Sequence, residues 1–189
     1  MSAWPFEPLQ MFGYDLIVAD PPWDFELYSE KGEKKSARRH YATMPLGEIM
    51  ALPVGQLAQR DCLLLLWCCE WMPPAQRDAV LGVWGFTYKT TIIWQKLTVN
   101  GKQQMGPGYR ARTMHEPCII ATLGRPKQKA LPSLFSGEAR EHSRKPEEFY
   151  RLVEKCSPGS TRADLFSRAP RRGWDGWGRE STKFAGGAA

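Results

Sequence analysis

Four short, continuous apolar runs and a weaker fifth constrain this chain more than any other feature. They are Tyr14–Ala19 (YDLIVA), 62–67 (CLLLLW), 90–94 (TTIIW), 118–122 (CIIAT) and 163–166 (ADLF). None alternates polar with apolar residues, so each predicts a strand buried on both faces, in a sheet covered by helices. Helices are predicted between the runs, over 46–52, over 75–84 after Pro73-Pro74, and over 146–156. In the last, Phe149, Leu152, Val153 and Cys156 follow the i, i+3, i+4, i+7 spacing of a buried helical face. Pro146 suits its first turn, and Ser157-Pro158-Gly159 stops it. Strand alternates with helix, which predicts an α/β fold with a mainly parallel central sheet flanked by helices. One domain is expected over 1–183, with a flexible tail at 184–189 (FAGGAA). Two polar segments, 28–40 and 100–112, read as long loops, and loops of that length in a compact domain are often lids or binding loops.

The balance of charge is +6, and 8 of the 189 residues are Trp. A basic surface suits a polyanionic partner, although it also serves solubility. Indoles suit stacking as well as packing. The 5 Cys show no C-x-x-C spacing. That argues against a zinc site or a disulfide scaffold and fits a reducing compartment. The first residues, MSAWPFEPLQ, lack the basic and apolar regions of a signal peptide. No run is long enough to span a bilayer. A cytoplasmic protein with no membrane partner is the expectation.

Chemistry is concentrated in Asp20-Pro21-Pro22-Trp23, at the end of the first apolar run. In open α/β sheets, ligands bind beyond the carboxyl ends of strands. The prolines are stiff and lack N–H groups, so this turn presents carbonyl oxygens in a fixed direction. An adenine amine has its lone pair delocalised into the ring. A carboxylate and a carbonyl that accept its two hydrogens pull it towards a nucleophilic shape, and the indole offers the base a flat face. A four-residue match by itself fits a rigid turn equally well. No G-x-G-x-x-G loop follows the first strand and no P-loop occurs, which excludes a nicotinamide or flavin Rossmann reading.

Asp-Pro-Pro-Trp after an apolar strand is the catalytic motif of amino-group DNA and RNA methyltransferases, and the likeness extends well beyond it. The segments VADPPWDF, HYATM, LLLLW, IIW, HEPCIIA, HSRKPEEFY and SPGSTRADLFSR occur in that order over residues 14–180. In this the chain resembles the family of the mRNA adenine methyltransferase catalytic subunit, the MTA-seventy family, in its prokaryotic or phage form. The resemblance implies a Rossmann-like methyltransferase fold with the catalytic motif ahead of the cofactor-binding half, and S-adenosyl-L-methionine as cofactor. It implies that Lys145 holds the cofactor's methionine carboxylate, that Asp164 contacts its ribose and that Arg168 contacts the cofactor, with Trp177 and Gly178 closing that side. Arg171 and Arg172 stand where the mRNA enzymes carry His and Asn.

Placed at the helix N-cap, Lys145 would be an unusual choice there and would face the positive end of the helix dipole. By the same resemblance Tyr41 lies beside the acceptor pocket. Trp67 and Trp94 end strands near it, and for both of them core packing is the competing expectation. Arg38 and Arg39, in a basic cluster with Lys31, Lys34 and Lys35, either contact substrate phosphates or form a solvated face. The three His, at 40, 115 and 142, suggest no metal site, and the resemblance implies a structural role for His115-Glu116.

The function these readings imply is methylation of the exocyclic N6 amine of adenine to N6-methyladenine, without a metal. A base within a duplex would be flipped out to reach the motif. DNA methylation by a site-specific adenine methyltransferase is preferred, because the chain is compact and lacks the accessory domains of the eukaryotic enzymes. The same chemistry on RNA is the alternative. A non-catalytic nucleic-acid-binding subunit is the rival of another class, and a monomer or homodimer is expected.

Overall fold

The computed structural model describes residues 3–24, 43–108, 110–141 and 144–184. Seven strands form one sheet: β1 (Tyr14–Ala19), β2 (Ala58–Trp67), β3 (Thr87–Leu97), β4 (His115–Leu123), β5 (Leu134–Glu138), β6 (Arg162–Leu165) and β7 (Asp175–Trp177). They lie in the order β5-β3-β4-β2-β1-β6-β7. Three α-helices are described: α1 (Leu46–Ala51), α2 (Pro74–Trp84) and α3 (Glu147–Cys156).

The apolar runs are continuous because both faces of the sheet are covered. Along β1, Ile17 and Ala19 join one buried cluster, while Leu16 and Val18 join the other. Along β2, Cys62, Leu64 and Leu66 face the first cluster and Leu63, Leu65 and Trp67 the second. This is the strict two-residue alternation of a pleated strand. Helices α1 and α2 supply Ile49, Val80, Leu81 and Trp84 to the first cluster, and α3 supplies Phe149, Tyr150 and Val153 to the second. The sequence reading places these five strands and three helices within a few residues of their ends. It leaves out β5 and β7, which are short strands at the two edges of the sheet, where one-sided pairing needs less apolar sequence.

The sheet is mixed, which qualifies the expectation of parallel strands. β1 is parallel to β2 and β6, β6 to β7, and β3 to β5, whereas β4 runs antiparallel to both of its neighbours, β2 and β3. Six strands therefore point one way and β4 points back. As a result, the amino end of β4 lies on the same edge as the carboxyl ends of the others. Helix α3 begins at Glu147, with Pro146 as its N-cap in an extended conformation (φ −70°, ψ 149°). This corrects the expected position of Lys145, which lies one residue outside the cap and does not face the helix dipole as an N-cap would. Among its described residues, segment 100–112 contains no helix or strand beyond a single bridge between Gln103 and Leu97.

Candidate active site at the carboxyl edge of the sheet

Asp20 leaves β1 with its N–H still donating to the Leu165 carbonyl of β6 (3.3 Å), so the ladder holds it in place. Pro21 and Pro22 follow, and their carbonyls already accept backbone hydrogen bonds from Trp23 and Met44 respectively, each 2.8 Å. A carbonyl has two lone pairs, so each keeps one free for a further donor. Trp23 is buried in the first cluster, and its indole N–H donates to the Trp67 carbonyl (2.9 Å). Its ring anchors the turn, and the flat face expected for the base is spent on packing.

A chain of alternating charges crosses this edge. Lys145 Nζ lies 2.9 Å from Asp20 Oδ1 and 2.6 Å from Glu116 Oε1, and Lys96 Nζ lies 2.7 Å from Glu116 Oε2. Lys145 is only 7% exposed, and its ammonium sits 4.9 Å from the centre of the Trp67 ring. Burial works against its charge, but the two carboxylates raise its pKa above the ordinary lysine value. Burial pushes the Asp20 carboxyl up, Lys145 pulls it down, and the nearby Glu116 charge adds to the upward shift. Glu116 moves the other way: burial is outweighed by its two lysines, which hold it below the usual carboxylate range. The two carboxylates are thus unequal, and Asp20 is the one more easily protonated.

Glu116, which reads as structural in the sequence, joins this charge chain through Lys145 and Lys96. Its role depends on the direction of β4, which no local pattern encodes. A glutamate opening an apolar strand beside a histidine gives no signal until that strand is known to run against its neighbours.

Next to this chain lies a crevice lined by Asp20, Arg140, Lys145, Asp164, Ser167 and Arg168, among others. Asp164, on β6, is buried and accepts a hydrogen bond from the Tyr150 hydroxyl (3.1 Å). Burial pushes its carboxyl up to about 7, even though the bond from Tyr150 and the charge of Arg171 pull downward. Beyond β6, Phe166 adopts a left-handed backbone (φ 63°), uncommon for an aromatic residue, and this bend turns Ser167 and Arg168 into the crevice. Arg140 Nε and Ser167 Oγ are buried there with no hydrogen-bond partner among the described residues. Unpaired buried polar atoms are costly, and a pair of them in one crevice fits a polar ligand. Arg171 makes two hydrogen bonds to Glu147 (2.7 and 3.0 Å) and stacks 3.7 Å above the Tyr150 ring, walling one side.

Several expected residues sit elsewhere. Trp177 and Gly178 do not line the crevice. Trp177 packs edge-on against Phe6 and Phe166 (4.9 and 5.3 Å), and a side chain at Gly178 would meet the Phe166 Cα at 2.9 Å. They brace the Phe166 bend from behind, because β7 is an edge strand whose ring turns towards the core. Trp67 has no exposed surface and belongs to the second cluster, so its ring offers no contact to a base; Trp94 is buried there too. Arg38, Arg39 and Tyr41 lie outside the described residues, as do Lys31, Lys34 and Lys35. Among the described residues, no group of His, Cys, Asp and Glu could hold a metal ion, and no helix is long and apolar enough to cross a membrane.

The model of the MT-A70 family, the one its motifs resemble, matches residues 14–180. The chain is similar to the Type II methyltransferase M.MunI of Mycoplasma, with 29% identity across 93% of this chain and 81% of that protein. It is 27% identical to the mouse N(6)-adenine-specific methyltransferase METTL4, over 90% of this chain and 38% of the relative. It is 28% identical to the human N(6)-adenosine-methyltransferase catalytic subunit METTL3, over 82% of this chain and 26% of the relative. The chain therefore spans most of one relative and a minor part of the others.

Proposed function

This chain belongs to the MT-A70 family, whose methyltransferases use S-adenosylmethionine, and we propose that it methylates the N6 amine of adenine in DNA. One observation carries the reading. The acid of the Asp20-Pro21-Pro22-Trp23 turn and the polar crevice share a wall, so acceptor and cofactor would meet at Asp20. The crevice residues fit S-adenosylmethionine. Arg140, Arg168 and the third N–H of Lys145 suit its carboxylate, Asp164 suits its ribose hydroxyls, and Ser167 supplies a free hydroxyl. When bound, the cofactor supplies a methyl group on a sulfonium centre.

The protein's own part is positioning and electrostatics. Asp20 accepts one N–H of the adenine amine, and the free lone pair of the Pro21 carbonyl suits the other. Positive charge grows on the amine as it is methylated, and a carboxylate fixed at that point stabilises it. Lys145 and Glu116 fix the carboxylate's direction. Lys145 also favours the ionised form of Asp20, which is the form that can accept a hydrogen. The proton displaced from nitrogen can pass to Asp20, whose raised pKa suits it to hold one briefly.

DNA is preferred because the Type II methyltransferase aligns across 93% of this chain, against 82% for the human adenosine methyltransferase. The adenosine-methyltransferase names among the relatives favour RNA as the second reading. Labelled S-adenosylmethionine, offered with DNA and RNA side by side and followed by nucleoside mass spectrometry, tests both. N6-methyladenine in DNA is expected. Label in RNA alone would replace the substrate, and label in neither would overturn the reading.

A further inference from the structure

The buried Trp23 leaves the nucleic acid without the aromatic face that the motif suggested. Trp71 stands in a better place for one. It lies in the loop that leaves β2 and enters α2, and its side chain is 57% exposed, the only such Trp among the large exposed apolar side chains of the described residues. Strand β2 lies between β1 and β4 in the sheet, so this loop emerges between Asp20 and Glu116. The loop is fixed at both ends. The Cys68 N–H donates to Pro117 of β4 (3.1 Å), the Met72 N–H donates to Cys69 (3.1 Å), and the Met72 side chain is buried in the first cluster. Glu70 lies 3.8 Å from His115, the residue that precedes Glu116. The short, braced loop that carries Trp71 thus leaves the sheet at the edge of Asp20 and Glu116.

We propose that Trp71 stacks on the nucleobase next to the target adenine and so holds the strand while the adenine occupies the site. The proposal rests on the nucleic-acid reading above and adds a binding residue to it. An indole on a braced loop loses little freedom on stacking, and stacking tolerates any base because every base has a flat face. The position on this loop, outside the crevice, assigns it to the neighbour and not to the target.

The test uses a fluorescent single-stranded oligonucleotide with one adenine among thymines, and a twin with abasic residues on both sides of that adenine. Binding to the full-length protein is measured by anisotropy with S-adenosylhomocysteine present, alongside label transfer to the same strands. Trp71→Ala is expected to weaken binding to the intact strand by about ten- to a hundredfold. Trp71→Phe should retain most of the binding. On the abasic twin, Trp71→Ala should cost no more than about twofold, because the stacking partner is already gone. Unchanged binding of Trp71→Ala to the intact strand overturns the proposal. So does an equal loss on both strands, which would mean that the indole shapes the loop or faces the target base. If Trp71→Ala fails to fold, the Trp71→Phe and wild-type proteins on the two strands still decide: a wild type indifferent to the abasic change overturns the proposal. A wild type that methylates neither DNA nor RNA defeats the functional reading instead.

Discussion

The two halves of the proposed site differ in how fully their polar groups are partnered. In the acceptor half, Lys96, Glu116, Lys145 and Asp20 satisfy one another within 3 Å, so the half is internally paired and assembled in advance. In the proposed cofactor half, Arg140 and Arg171 pair with Glu147, but Arg140 Nε and Ser167 Oγ have no partner among the described residues, and Asp164 resists ionisation. The contrast teaches where preorganisation belongs. Groups that act on a transition state gain from being fixed beforehand. Groups that capture a ligand keep unused hydrogen-bonding capacity, which the ligand then fills.

The sharpest break in this contrast is Lys145→Met. It takes the ion partner from Asp20 and leaves Glu116 with Lys96 alone, and removing one partner of a buried pair costs on the order of 3–5 kcal/mol. Chemical denaturation should show that loss, and Lys145→Met/Glu116→Gln should recover part of it. A loss near zero would mean that the charge chain contributes nothing to the fold. In any active Lys145→Met protein, the acid limb of the pH–rate profile should move to higher pH, since the charge that pulls the Asp20 pKa down is gone.

Asp20→Ala separates the halves by function. Loss of a fixed transition-state acceptor should slow transfer by about a hundredfold or more. Calorimetry should find S-adenosylmethionine affinity within about twofold of wild type. A selective loss of cofactor affinity would move Asp20 into the other half.

Arg140→Ala probes the unused donors. Losing a charged hydrogen bond to a carboxylate should weaken the cofactor by about 1.5–3 kcal/mol with little change in turnover at saturation.

Asp164 then gives a pH signature. An ordinary aspartate loses its proton near 3.8, but the folded protein keeps this one until about 7. Between these values the native state binds more protons than the unfolded state, so stability falls as pH rises from about 4 to 7 and is level above. Ribose hydroxyls donate best to the ionised form, so cofactor affinity should climb through pH 7 with release of a proton. In Asp164→Asn, titration of both stability and affinity should lose this component. The smallest effect is expected for Trp23→Phe, which leaves the Trp67 carbonyl without its donor, for about 1–3 kcal/mol in a thermal or denaturant melt.

Much of this arrangement is legible in the sequence, for identifiable reasons. Strand β1 and the acid at its end are visible because four apolar residues in a row, Leu16 to Ala19, have few other uses, and because prolines end the strand abruptly. Asp164 is visible as an acid inside a weak apolar run. The N-cap of α3 is misplaced by one residue because Pro146 can serve either as the cap or as the first helical residue. Strands β5 and β7 are hidden because edge strands bury little; Leu134 is itself exposed. Glu116 is hidden for a deeper reason. Which end of a strand borders a site depends on topology, and composition and periodicity describe a strand equally well in either direction.

The reversal of β4 also affects how this architecture can change. Parallel neighbours are joined by crossovers that must return to the far edge of the sheet before the next strand can begin. The β3–β4 connection alone, among the described strands, both leaves and re-enters at the edge that carries Asp20 and Glu116. It is pinned near its base, where the Gln103 amide donates to the Lys96 and Met114 carbonyls (3.0 and 2.9 Å). Beyond that pin, Lys102, Met105 and Arg112 are exposed and lie outside the paired residues of β3 and β4. A change in the tip of this hairpin would therefore fall beside the edge that carries Asp20 and Glu116 and outside the paired strands.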